Sequence, residues 1–260
     1  MTALALKLAR TQARDTVRSR WILGYLGFFL LLTEGLLRFS GGDARALLSI
    51  GTATVMVVPL ATLILSTIYV YNTREFTELL LAQPIPRRAL FSGLYLGLTL
   101  PTATAFAAGV GIPFVLNGSV DGSVVELIAI GVALTLVFTA LAFCIALVVD
   151  DRLKGVGIAF GVWLLVSVLY DGAVLTAVAL FSDYPIERPL LGLMLANPVD
   201  LGRVLLLLRL DVAALMGYTG AVFERFFGGI GGSLLASAML LAWIAVPIVF
   251  SARQFRRKDF

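Results

Sequence analysis

The sequence predicts an all-α integral membrane protein with six transmembrane helices. Three observations carry that expectation. Of the 260 residues, 60% are hydrophobic and 14% are charged, whereas a soluble domain is about half apolar and a quarter charged. Apolar runs of about 20 residues, the length that crosses a bilayer core, recur along the chain with polar turns between them. The basic residues gather at alternate turns, the pattern that orients a helical membrane protein. A single transmembrane domain over residues 1–260 is expected, with no separate soluble part.

Residues 2–20 are expected to form an amphipathic helix. Ala3, Leu4, Leu6, Leu8, Ala9, Ala13 and Val17 give a partial apolar face, interleaved with Lys7, Arg10, Arg14, Arg18 and Arg20. Such a helix lies in the membrane interface, drawn to anionic lipid; the alternative is a frayed charged tail. No cleavable signal peptide is expected, since no apolar core leads to a small-residue cleavage site.

Span 1 covers 21–37 and span 2 covers 46–71, with Gly41-Gly42-Asp43 turning between them. Pro59 is expected to kink span 2. Residues 72–88 follow, polar at first, then Leu79-Leu80-Leu81, then Pro84 and Pro86 before Arg87-Arg88. This stretch reads as a short cytoplasmic surface helix that the prolines end before span 3. Span 3 (89–116) holds Pro101, Gly109, Gly111 and Pro113 and is expected to bend. Span 4 covers 124–149, a tight inner loop follows at 150–155, and span 5 covers 156–181. An outer segment, 182–232, is expected to be helical and periplasmic, with Asp200 near a helix N-terminus. Interfacial helices and a docking surface for an outer protein are both open readings of it. Span 6 covers 233–252.

Six spans put both termini on one side. On that side fall 14 of the 20 basic residues, so both termini are expected in the cytoplasm of a bacterial inner membrane. The surface helix and the 150–155 loop then face the same cytoplasmic partner. Basic residues at membrane edges form no nucleic-acid-binding face.

Composition excludes much chemistry. Histidine is absent and Cys144 is the single cysteine, so neither an internal disulfide nor a soft-metal site is expected. A P-loop needs a lysine followed by Ser or Thr; Lys7, Lys154 and Lys258 precede Leu8, Gly155 and Asp259. No catalytic constellation is present, and no cofactor is expected in this chain. An ion-coupled carrier places ionisable groups near the bilayer centre, whereas Glu34, Glu126 and Asp171 fall toward the outer half. Any ATP is therefore bound by a separate subunit. Arg74, Glu75 and Glu78 are suited to pair with such a subunit. Asp171, beside Tyr170, has three readings: a cap at a helix break, a cavity wall, or the partner of an outer arginine.

The six-span plan, the amphipathic start and Arg74-Glu75-Phe76-Thr77-Glu78-Leu79-Leu80-Leu81 ending at Pro84-Ile85-Pro86-Arg87 resemble ABC-2 type transporter permeases. Gly157-Ile158-Ala159-Phe160-Gly161-Val162-Trp163, then Tyr170-Asp171, then Asn197-Pro198-Val199-Asp200 with Arg203 resemble the NosY group of those permeases. That group serves nitrous oxide reductase maturation in the NosDFY system. The resemblance implies a homodimer, a NosF-like cytoplasmic ABC ATPase carrying ATP and Mg, and a NosD-like periplasmic protein. It also implies export of a sulfur-containing species for copper–sulfur cluster assembly. It makes Arg74, Glu75, Phe76, Thr77, Glu78, Leu79, Leu80, Asp150, Asp151 and Arg152 the ATPase-coupling residues. Glu34, Trp163, Tyr170 and Asp171 become candidates for a pathway or outer gate, and Asn197, Pro198, Asp200, Arg203, Phe223 and Arg225 for periplasmic contacts. Many members carry Gly-Thr after the coupling glutamate, where this chain has Phe76-Thr77. The alternatives are an ABC-2 exporter of another cargo and a membrane scaffold anchoring a periplasmic assembly factor.

Overall fold

The computed structural model describes residues 2–181, 187–209 and 230–258. Among the described residues every regular element is helical. Helix α1 (Thr2–Val17) precedes α2 (Arg20–Phe39), α3 (Asp43–Asn72), the short α4 (Arg74–Leu81), α5 (Arg87–Leu116) and α6 (Gly122–Val148). Helix α7 (Arg152–Leu164) passes through a π-helical turn, Leu165–Leu169, into α8 (Tyr170–Leu180). Then come α9 (Glu187–Leu195), α10 (Pro198–Arg209) and α11 (Ile230–Arg257). Six of these are long and apolar enough to cross a bilayer: α2, α3, α5, α6, the run α7–α8, and α11 from Leu234. Six candidate spans among the described residues is the expected number.

Local chemistry sets the breaks. Gly41 at φ 75° turns the chain between α2 and α3, and Gly118 at φ 68° turns it after α5; side chains with a Cβ rarely adopt that backbone. Asp121 caps α6 by accepting from the amides of Ser123 and Val124, both at 3.0 Å. Asp151 caps α7 by accepting from the Lys154 amide at 2.9 Å, satisfying donors that a helix start leaves open. Pro84 and Pro86 separate α4 from α5.

Helices α5 and α6 form the centre. Within their apolar windows 61% and 56% of residues are buried, against 22% for α2, 17% for α7–α8 and 22% for α11. Lipid is as apolar as leucine, so close packing rather than water exclusion holds spans together. Glycines opposite large side chains provide it. A Cβ on Gly131 of α6 would collide with the Phe106 ring of α5, and one on Gly109 of α5 would meet Phe29 and Leu26 of α2. Phe29, Phe106, Phe114 and Phe138 are fully buried in the larger core cluster. A second cluster at one end joins Phe91, Tyr95, Phe143, Leu147 and Phe255.

That end holds α4, Leu8 of α1 and the last turn of α11, and is called the terminal end below. Helix α1 docks along α5, where Gly97 receives Gln12 and Ala9, and the Tyr69 hydroxyl at the end of α3 donates to Gln12 Oε1 at 2.7 Å. The amphipathic start is therefore a packed element, not a frayed tail.

Helices α9 and α10 meet at 105°. Gly202 of α10 lies against Ile130 and Leu134 of α6, and Leu206 fills the space above Gly51 of α3. Ile130 is eight residues into α6, about 12 Å along it at 1.5 Å per residue. The described part of the outer segment thus enters the bundle instead of resting on its rim. The signal for this was muted: Leu205-Leu206-Leu207 sits between Arg203 and Arg209, and the paired helices are each too short to read as spans.

Candidate functional site

At the terminal end, α4 rests against α3 and α5. Thr77 is buried, and its hydroxyl donates to the Thr73 carbonyl at 2.8 Å. Leu80 and Leu81 pack on the nearby core cluster. Glu75, Phe76, Glu78 and Leu79 are exposed, Leu79 to 70%. The three leucines therefore divide: Leu80 and Leu81 anchor, while Leu79 joins the outward face. The result is an acidic, partly apolar surface on a helix of two turns.

The loop between α6 and α7 lies beside that helix. Arg74 Nη2 pairs with Asp150 Oδ1 at 3.1 Å, and Arg74 Nε approaches Glu78 at 3.5 Å. The Tyr71 hydroxyl donates to the Val149 carbonyl at 2.8 Å, and Gly155 leaves room for the Tyr71 ring. Asp151 is occupied as the α7 cap, and Arg152 is exposed. The expected coupling residues thus share one end, and Asp150 joins the two loops directly. Two further residues, never singled out for a role in the sequence, belong here. Lys258 donates to Asp150 Oδ1 at 2.8 Å, and Arg87 Nη1 donates to the Arg256 and Lys258 carbonyls at 2.9 and 2.8 Å. The hydrogen bond from the Lys258 ammonium, and behind it Arg74, hold the Asp150 carboxyl below the usual carboxylate range. Beside α4 a groove of about 560 Å³ opens between α1 and α3, lined by Gln12, Asp15, Trp21, Tyr69, Asn72 and Phe76 among others.

At the far end, the π-helical turn organises a second polar group. A π turn breaks the regular carbonyl ladder of a helix. Here Asn197 Nδ2 donates to the Val166 carbonyl at 2.8 Å, while Asn197 Oδ1 accepts from the Val199 amide at 2.9 Å. Asn197 thereby caps α10, with Pro198 at its first helical position. One turn on, Arg203 Nη1 pairs with Asp171 Oδ2 at 2.7 Å and Asp200 Oδ1 at 3.3 Å. The Tyr170 hydroxyl donates to the Leu193 carbonyl, and Trp163 Nε1 donates to the Met56 carbonyl at 3.1 Å. Of the open readings for Asp171, pairing with an outer arginine is the observed one.

Several expected placements change. Asn197 and Asp200 were expected at a periplasmic surface; they are 2% and 7% exposed and are used inside the bundle. Arg203, expected there too, is taken up by the two carboxylates. Glu34 does not join the Asp171 group. It pairs with Arg38 at 2.6 Å and accepts from Asn117 Nδ2 at 3.2 Å, tying α2 to the end of α5. Phe223 and Arg225 lie outside the described residues.

Residues 53–260 match the family described as "ABC-2 family transporter protein". Two curated relatives carry the name "Probable ABC transporter permease protein NosY". The protein from Pseudomonas aeruginosa is 27% identical over 274 residues, and the one from Stutzerimonas stutzeri is 27% identical over 278 residues. Each alignment covers 96% of this chain and 97% of the relative.

Proposed function

The chain belongs to the ABC-2 transporter family as the multi-pass membrane permease subunit of an ABC transporter, and on that premise we propose that it exports a sulfur-containing species for copper–sulfur cluster assembly of nitrous oxide reductase. The cargo reading draws on the NosY name borne by both relatives and on the motifs of span 5 and the outer segment. The ATP-driven step draws on one observation, the outward face of α4 with Glu75, Glu78 and Leu79 beside the Asp150 loop. We take the terminal end as cytoplasmic, because the basic residues collect there. A NosF-like ATPase, carrying ATP and Mg, docks on α4 and that loop; a NosD-like protein receives the cargo at the periplasmic end.

Two results test this. The purified chain is expected to hydrolyse no ATP, and co-expression with its ATPase to yield a hydrolysing complex. Cells lacking the chain are expected to make a reductase without the optical signature of its copper–sulfur site. Hydrolysis by the chain alone overturns the transport assignment. A fully assembled reductase overturns the cargo and leaves an ABC-2 exporter of another substrate.

The second copy of a homodimer fits the α7–α8 face. Only 17% of that span's apolar window is buried, and Gly157 and Gly161, one turn apart, have open space where a Cβ would stand. Small residues at this spacing let two helices approach closely within lipid. Replacing both glycines with leucine is expected to shift the purified protein from dimer to monomer in size-resolved mass measurements. Unchanged dimer content removes this face from the interface.

A further inference from the structure

The terminal end carries a device that the coupling reading does not use. Helix ends leave their last carbonyls without intrahelical donors. At this end the last carbonyls of two spans are met by cations from elsewhere in the chain. Lys258, just past α11, donates to the Leu147 carbonyl at the end of α6 at 2.8 Å, and by the same ammonium to Asp150 at 2.8 Å. Arg87, at the start of α5, donates to the Arg256 and Lys258 carbonyls that end α11. A cation at a helix C-terminus also meets the negative end of its dipole.

These contacts are built, not incidental. The Lys258 side chain is 12% exposed, while Asp150 beside it is 72% exposed. Phe255, one turn before, is 2% exposed and packs its ring 5.7 Å from that of Phe91 of α5. Lysine is seldom that enclosed unless its ammonium is matched. The ends of α5, α6 and α11 therefore close into one knot, and the same Asp150 oxygen that accepts from Lys258 accepts from Arg74 of α4.

We propose that this C-terminal knot is a positioning element of the coupling machinery. Lys258 and Arg87 make α4, the α6–α7 loop and the inner end of α11 move as one body. A push on α4 is then carried into the last span rather than spent on tilting a two-turn helix. The proposal rests on the reading that α4 receives the ATPase.

The test uses the full chain in lipid nanodiscs with Cys144 replaced by alanine and spin labels at Leu79→Cys on α4 and Val249→Cys on α11. The α4–α11 distance distribution is expected to be narrow in the parent and in K258R. It is expected to broaden at least twofold in K258A, with the thermal unfolding midpoint of the chain little changed. In the complex with its ATPase, a non-hydrolysable ATP analogue is expected to shift the distance between Leu235→Cys labels in the two copies. K258A is expected to lose at least two-thirds of that shift while still binding the ATPase, and K258R to keep it. A K258A chain with the parent's distribution and full shift overturns the knot. A parent chain that never binds the ATPase through α4 sinks the coupling reading instead, whatever the labels within one chain report.

Discussion

Replacing Arg203 with leucine is expected to destabilise the far end by about 3 kcal/mol, because it strands two carboxylates inside the bundle. Breaking a buried ion group by removing one partner costs about 3–5 kcal/mol, since the remaining charge keeps its desolvation penalty and loses its compensation. The Asp200 side chain is 9% exposed, but Asp171 and Arg203 are 27% and 30% exposed, which places the effect at the low end of that range. The arrangement already holds two acids against one base. Leucine at 203 leaves both acids facing each other without the guanidinium that now bridges them. Thermal unfolding in a mild detergent should show a clear loss of midpoint for R203L. Adding Asp200→Asn to R203L should recover part of it, because an amide has no charge to strand. Arg203→Lys keeps a cation but not the guanidinium's fork of donors, so an intermediate loss is expected. If R203L unfolds with the parent, the triad does not hold α10 to α8.

The same triad shows where reading from residues alone stops. Asp171 was visible as an acid within an apolar run, and an outer arginine was one of its possible partners. Which arginine was not legible, because Asp171 and Arg203 are 32 residues apart and the segment between them has no periodicity that fixes its path. The helix start over 197–203, in contrast, was legible, with Asp200 expected near its N-terminus and found in its first turn, although the residue that caps it is Asn197. Burial of that start was not, since it depends on Gly202 letting α10 approach α6 and on Gly51 opening space in α3 for Leu206. The span plan was read from runs of apolar residues, which report only on the lipid, and so it carried over well. The knot at the terminal end was missed for the opposite reason. Lys258 and Arg87 entered the sequence reading as charges counted for topology, whereas, Asp150 apart, the partners that tie the helix ends are backbone carbonyls, which no sequence displays. Glu34 and Arg38, four residues apart on one helix, are neighbours by helix geometry alone, and they pair.

Reversing Glu75 and Glu78 together to lysine is expected to abolish ATPase docking while leaving the permease folded. Both acids are on the exposed side of α4, so their replacement opens no cavity and strands no buried group. The internal costs are small. Glu78 gives up a pair with Arg74 at 3.5 Å, and an exposed pair of this kind contributes about 0.3–0.5 kcal/mol. Glu75 gives up a place in the first turn of α4, worth about 0.5 kcal/mol through the helix dipole. Thr77, Leu80 and the Arg74–Asp150 contact remain to hold the helix in place. Across an interface the balance differs, since like charges set face to face cost several kcal/mol. A loss of about 3 kcal/mol weakens affinity by roughly a hundredfold, enough to empty the complex during purification. Co-purification of the ATPase is therefore expected to fail for the double variant, with the unfolding midpoint of the permease within a few degrees of the parent. A scaffold that only anchors a periplasmic factor would behave otherwise in one respect: its outer partner would stay bound and reductase maturation would proceed. Retention of the ATPase at parental levels by the reversed α4 would remove this helix from the docking surface, and with it the mechanical reading of the terminal end.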